Sequence, residues 1–264
     1  MTEEDFLFDG LKLSDFGYII VHDDVVDETG VVSGMSYKTV NGTKSNVLHK
    51  VASSYEDTLH LDVSIMKHPC NNDIFVLTND DISEMSKWLC RDDYHWFRWI
   101  DDIGQDEIWF EVQITMDKIA YGEDIVGLML HINTNRPYGL TREYRHEWIG
   151  GLSDTTINVH SDEEGYIYPD VEITVKGGGT VEITNKYENR TTRILHCING
   201  EVITIYGGDL QQIVSSNKSH DLSSDFNYQL FRLCNKWGNS KNVIEVSPNA
   251  NIVFSYRGVR KVGL

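Results

Sequence analysis

The chain has 264 residues, 40% of them hydrophobic, enough for a packed core in one large domain or two ordinary ones. Its net charge is −18, carried almost wholly by the first part. Residues 1–150 hold 12 Lys and Arg against 28 Asp and Glu, and residues 151–264 hold 11 against 13. A surface so acidic repels phosphate backbones, which argues against a module that grips nucleic acid.

No stretch approaches ~18 consecutive apolar residues, so no membrane span is expected. The acidic start "MTEEDFLFDG" does not read as a secretory leader. Cys70, Cys90, Cys197 and Cys234 lack the tight spacing of a zinc site or a small disulfide scaffold. Free thiols in a reducing compartment are expected.

In chain order, "FGYIIVH" reads as the first strand and "DDVVDETGVVSGM" as a loop. Asn41-Gly42 within "YKTVNGTKSNVLHK" signals a tight hairpin turn. "DTLHLDVSIMK" alternates, with Leu59, Leu61, Val63 and Ile65 on one face and His60, Asp62 and Ser64 on the other. His60 reads as a solvated residue on that polar face.

Ile82, Met85, Trp88 and Leu89 then share one helical face, which places a helix at about residues 81–91. Asp81 and Glu84 are positioned as N-cap and third helical residue. From Tyr94 the period changes to two. "IWFEVQITM" puts Ile108, Phe110, Val112, Ile114 and Met116 on one face, and "DIVGLMLHINTN" gives another strand.

Gly150-Gly151 reads as a linker, dividing a first domain at 1–150 from a second at 151–264. Beyond it come "TINVH", "DVEITVK", "TVEITN", "RILHCI", "EVITIYG", "NYQLFRL", "NVIEVS" and "NIVFSYR". Short strands at that spacing predict a β-sandwich. The fold class is therefore mainly β with one helix in the first domain.

Several groups invite a chemical reading and fail it. Asp101-Asp102 and Asp106-Glu107 flank a turn and lack the ligand alternation of a calcium loop. Cys90 and His95 are close in sequence, but a nucleophilic pair needs a third orienting group. "KGGGT" (176–180) lacks the lysine-hydroxyl pair and following helix of a phosphate loop, and reads as a hairpin turn. "HINTNR" (131–136) is similar to the sugar-binding strand of galectins, but its companion tryptophan and Glu-Arg strand are not in the expected place. There is no GxSxG or HExxH. No catalytic, cofactor-binding or metal residue is assigned, and no cofactor.

A succession of motifs resembles a family. "FLFDGLKLSDFGYII" is similar to the start of the distal tail proteins of long-tailed, siphovirus-type bacteriophages. "DISEMSKWL" followed by "YHWFRWIDD" resembles that family's helix–strand pair, and "DEIWFEVQI" its next strand. "IVGLMLHINTNRPYG" resembles the strand that closes on a proline-aromatic pair. "FNYQLFRLCNKWGNSKNVIEVSPNANIVFSYRGVRKVGL" resembles the family's ending. The likeness covers nearly the whole chain in order. The aromatic excess of "KWLCRDDYHWFRW" and the longer "KWGNSKN" loop depart from the pattern.

The resemblance implies a structural virion protein of the tail tip, made in the bacterial host cytoplasm and not an enzyme. The first domain would form a hexameric ring, and the second would be a galectin-like β-sandwich. The ring would join the tail-tube protein to the tail-tip hub and carry receptor-binding proteins or side fibres. DNA would pass through its lumen unbound, and the acidic balance of residues 1–150 suits a lumen wall. The tryptophans of the helix–strand pair either supply subunit contacts or fill the core. The basic end, with Arg257, Arg260 and Lys261, either pairs back onto the first domain or meets an acidic neighbour. The alternative function is a carbohydrate-binding sandwich that attaches to cell-surface glycans through Trp237, Tyr206 and Tyr187.

Overall fold

The computed structural model describes residues 5–21, 35–41, 48–55, 58–69, 75–100, 107–151, 155–208, 210–238 and 241–261. The chain divides into two compact units, Met1–Leu140 with Arg260–Leu264, and Thr141–Val259.

In the first unit the strands run β1 (Asp5–Phe8), β2 (Leu11–Lys12), β3 (Tyr18–Val21), β4 (Met35–Asn41), β5 (Leu48–Tyr55) and β6 (His60–Lys67). A 3-10 turn (Leu13–Phe16) precedes β3. After α1 (Asn79–Leu89) come β7 (His95–Ile100), β8 (Ile108–Tyr121), β9 (Asp124–Thr134) and β10 (Gly139–Thr141). The sheet order is β2-β1-β7-β8-β9-β6-β3, and β10 pairs with β8. β4 and β5 form a separate antiparallel hairpin. Its turn at Gly42 lies outside the described residues.

Alternation buries one face of this sheet. Val63 and Ile65 of β6, Phe110, Val112 and Ile114 of β8, and Leu128, Leu130 and Ile132 of β9 are all buried. α1 lies in the same core through Met85, Trp88 and Leu89, the face its 3.6-residue period predicts. The helix starts three residues earlier than expected from a cap at Asp81. Thr78 is the N-cap: its hydroxyl accepts from Asp81 N–H (3.2 Å) and its own N–H donates to the Asp81 carboxylate (2.7 Å). Asp81 thus serves as the third helical residue of the box. Lys67 Nζ also holds it at 2.8 Å.

The second unit contains β11 (Tyr144–Ile149), β12 (Thr155–Asn158), β13 (Gly165–Ile167), β14 (Asp170–Val175), β15 (Gly179–Asn185), β16 (Arg190–Cys197), β17 (Val202–Tyr206) and β18 (Gln212–Ser215). A single helical turn, α2 (Leu222–Asp225), leads to β19 (Leu233–Asn235), β20 (Lys241–Val246) and β21 (Ala250–Tyr256). Five strands form the sheet β11-β21-β14-β17-β18 and four form β12-β20-β15-β16. One apolar cluster takes Val171, Ile173, Ile252 and Phe254 from the first sheet and Val181, Ile183, Ile194 and Ile244 from the second. Two sheets sharing a core make a sandwich. Finally β22 (Val259–Arg260) pairs with β10 in the nine-stranded sheet, which brings the chain back to the first unit.

Three expectations change. The division falls at Leu140/Thr141 rather than at Gly150-Gly151, because β11 pairs with β21 along Tyr144–Ile149. Gly150 is a packing glycine: a Cβ there would lie 2.1 Å from the Ala250 carbonyl oxygen. "KGGGT" is not a hairpin turn. It carries the chain from β14 in one sheet to β15 in the other, and Gly177, Gly178 and Gly179 all have positive φ. "NYQLFRL" is strand only from Leu233 onward. Tyr228 has φ 57°, and the Asn227 side chain bonds Arg193 N–H, Gln229 N–H and the Thr191 carbonyl in place of a ladder.

Candidate functional site

The aromatic helix–strand unit splits between two faces. Trp88 stacks on Phe16 at 4.2 Å and on Phe6 at 5.9 Å, and its Nε1 donates to the Phe8 carbonyl. Trp99 meets Phe97 edge-on at 4.9 Å. Both tryptophans belong to the monomer core. Trp96 points the other way, edge-on to Trp109 at 6.3 Å, with the Arg98 guanidinium over the Trp109 ring. This half-buried aromatic ladder lies on the open face of the sheet, between β7 and β8.

The same region has an unfinished edge. β7 accompanies β8 only from Phe110 to Val112, whereas β9 follows β8 from Val112 to Tyr121. β10 sits near the start of β8, where Gly139 abuts Ile108 and Phe110. Among the described residues, no strand pairs with the β7 side of β8 beyond Val112. Its backbone N–H and C=O groups there are a template for another strand.

His60 and His131, 71 residues apart, come together on the open face. β6 pairs His60 with Asn133 and Asp62 with His131. His131 Nδ1 lies 2.6 Å from Asp62 Oδ1, and its Nε2 lies 3.2 Å from Asp117 Oδ2. His60 Nε2 approaches the same Asp62 oxygen at 3.2 Å, while its Nδ1 lies 2.7 Å from Asn133 Oδ1. Hydrogen bonds to Asp62 and Asp117 raise the His131 pKa. The expectation of His60 as an isolated solvated residue gives way to a cross-strand cluster. A register of β6 against β9 would have exposed it, since His60/Asp62 and His131/Asn133 share a two-residue spacing.

In the second unit a charge network is buried. The side chains of Glu201 and His220 are 0% and 2% exposed. Glu201 Oε1 accepts from Ser215 Oγ and His220 Nδ1, and Oε2 accepts from Ile198 N–H. His220 Nε2 faces the Leu195 carbonyl at 2.9 Å and Asp225 at 3.2 Å. Both ring nitrogens face acceptors, an arrangement that favours the protonated ring. Burial opposes that charge, but Glu201 and Asp225 outweigh it and raise the His220 pKa. Burial likewise opposes the Glu201 charge, but Ser215, His220 and Ile198 hold its pKa below the usual range.

Cys197 adjoins this network, giving a cysteine, a histidine and a carboxylate within 4.8 Å. Burial pushes its thiol up to about 11, so the thiolate that nucleophilic chemistry needs is suppressed. The arrangement acts as a structural ion pair, tying β16, β17, β18 and α2 together.

The residues singled out in the sequence do not assemble elsewhere. His95 lies 3.6 Å from Asp9, not against Cys90, whose thiol is raised by burial. Glu107 faces Arg98 at 3.6 Å, and Asp101, Asp102 and Asp106 lie outside the described residues, as does Cys70. Trp237 is 96% exposed, whereas Tyr206 and Tyr187 are each 37% exposed. They come from the β19–β20 loop, from β17 and from the β15–β16 turn, and share no single strand face. Arg257 donates to the Thr141 carbonyl, and Arg260 and Lys261 fall in the first unit. No helix of the described residues is long and apolar enough to cross a membrane.

No curated relative matches the chain in sequence. In fold it is similar to the Dit protein of phage SPP1, described as a paradigm of the hub adsorption apparatus in phages infecting Gram-positive hosts. That likeness has a TM-score of 0.61 at 13% identity, over 96% of this chain and 98% of the other. It is also similar to a chain of the phage p2 baseplate in its activated conformation with Sr, with a TM-score of 0.52 at 6% identity, over 96% and 98%. Residues 1–136 match a family described as phage tail protein N-terminal domain, and residues 138–256 match one described as phage tail C-terminal domain. With both domains matched in order, the chain belongs to this phage tail protein family and is a component of the virion tail.

Proposed function

We propose that the chain is a non-enzymatic distal tail protein of the phage adsorption apparatus. In this reading it forms a hexameric ring that joins the tail tube to the tail-tip hub and supports receptor-binding proteins or side fibres. The observation that carries the reading is the likeness in fold to SPP1 Dit over nearly the full length of both chains, in a member of a phage tail family.

The edge of β8 that no described strand covers supports self-assembly, since a neighbouring subunit's strand could pair there. The Trp96–Trp109 ladder beside it offers apolar area for the same contact. The 28 acidic residues of positions 1–150 suit a channel that DNA crosses without binding, because like charges repel within a Debye length of about 8 Å. The second unit, a galectin-like sandwich in this reading, would project toward fibres or receptors.

Negative-stain microscopy and mass photometry of the full chain, alone and mixed with its tail-tube neighbour, test the proposal. Six-subunit rings with a central hole are expected. Particles that stay monomeric in both samples at high concentration would overturn it.

A sugar-binding role for the second unit has one observation in its favour, the bare indole of Trp237. Glycan-array binding that disappears in Trp237→Ala is the result that role requires.

A further inference from the structure

We propose that His60, Asp62 and His131 form a binding site for a borderline divalent transition ion such as Zn2+. The site lies on the open face of the nine-stranded sheet and is independent of the ring reading.

Three donor atoms converge there. One ring nitrogen of His60, one of His131 and an Asp62 carboxylate oxygen all lie within 4.8 Å of one another, and His60 Nε2 and His131 Nδ1 both approach Asp62 Oδ1. The 3.2 Å from His60 Nε2 to the Asp62 oxygen matches the ~3.3 Å between ligands bonded 2.0–2.1 Å from a tetrahedral ion, and the 2.6 Å from His131 Nδ1 is a hydrogen-bond contact that an ion would have to widen. The two imidazole rings lie parallel to within 5°, with centroids 6.4 Å apart, on either side of the Asp62 oxygen that both approach.

The second ring nitrogens carry the inference further. A metal-ligating histidine characteristically gives its other N–H to a carboxylate or carbonyl, which fixes its tautomer and aims the lone pair. Both histidines have that partner: His60 Nδ1 is held by the Asn133 side-chain oxygen at 2.7 Å, and His131 Nε2 by Asp117 at 3.2 Å. Two imidazoles with one carboxylate favour zinc-like ions over Ca2+ or Mg2+, which prefer all-oxygen sets. Three protein ligands leave a position for water.

The chain places these donors on rigid strands. His60 and Asp62 are two residues apart on β6, His131 is directly across from Asp62 on β9, and Asp117 lies on β8. A bound ion would therefore clamp β6 to β9.

Calorimetric titration of the tag-free full chain with Zn2+, and the visible absorption of its Co2+ form, test the site. One saturable ion per chain is expected, with a tetrahedral Co2+ spectrum. His131→Asn and Asp62→Asn should each weaken binding at least about tenfold, and Asp117→Asn or Asn133→Ala about 10–100-fold. Cys197→Ser, which alters the other histidine cluster, should leave binding unchanged. Far-UV circular dichroism checks that each variant keeps its fold, and His60→Gln, at a half-exposed position, guards against a folding artefact. The proposal is overturned by the absence of saturable binding at millimolar Zn2+. Binding that survives in folded His131→Asn and His60→Gln chains also overturns it, as does loss of binding in Cys197→Ser.

Discussion

The two units place their polar and aromatic residues in opposite ways. The first packs Phe6, Phe8, Trp88 and Phe97 together in the core under one sheet, and carries the His60–Asp62–His131 cluster on the open face. The second closes two sheets over a largely aliphatic core and buries a histidine–glutamate pair at its margin. An open sheet must leave a face and an edge for something else to cover. A sandwich covers the inner face of each sheet with the other, and its buried polar groups fix how its strands and loops fit together.

If this contrast is sound, the second unit should suffer most from losing a charge partner. His220→Ala leaves Glu201 buried and unpaired, and should cost about 3–5 kcal/mol. Calorimetry should show the second unit's transition falling while the first unit's stays in place. A single shifted transition for both units would break the comparison. Trp88→Ala is the mirror experiment: it should cost about 3–5 kcal/mol in the first unit alone, because it opens a cavity among Phe6, Phe8 and Phe16.

Smaller effects sharpen the same contrast. Asn242, fully buried, accepts from Cys234 N–H and Asn185 Nδ2 and donates to the Cys234 carbonyl. Asn242→Ala should cost about 1–3 kcal/mol for each group it orphans, read from urea unfolding of the second unit. Thr78→Ala removes the N-cap of α1 and should cost only about 1 kcal/mol, in the first unit.

The pH profile separates the units without mutation. His220 has a raised pKa, so its contribution is fully present below the ordinary histidine value of 6.5 and is lost as pH rises through its higher folded value. Glu201 has a lowered pKa, so its contribution is present above 4.5 and is lost as pH falls through its lower folded value. The second unit should therefore be most stable in the mildly acidic range between these limits. The alkaline decline should vanish in His220→Ala, which urea unfolding across pH would reveal.

Much of the architecture was legible because alternation and helical period are local. β6, β8, β9, β14 and the apolar face of α1 follow directly from spacing. β11 was hidden because "YRHEWI" is polar and runs into two glycines that look like a linker. The role of Gly150 depends on a carbonyl a hundred residues away, at Ala250. The two histidine clusters were harder still. His60 meets His131 only through the β6–β9 register, and His220 reaches Glu201 only once α2 and β18 fold against β16 and β17. Spacing along the chain carries no direct signal of either encounter.

The return of β22 to the nine-stranded sheet makes the first unit discontinuous in sequence, with the whole second unit between β10 and β22. A chain leaving the ribosome in order has the complete sandwich sequence available before the last strand of the first unit emerges. The sandwich can therefore mature while the nine-stranded sheet is still one strand short. Chain growth would then delay completion of that sheet, along with any docking that depends on its closure, until after the sandwich has been synthesised.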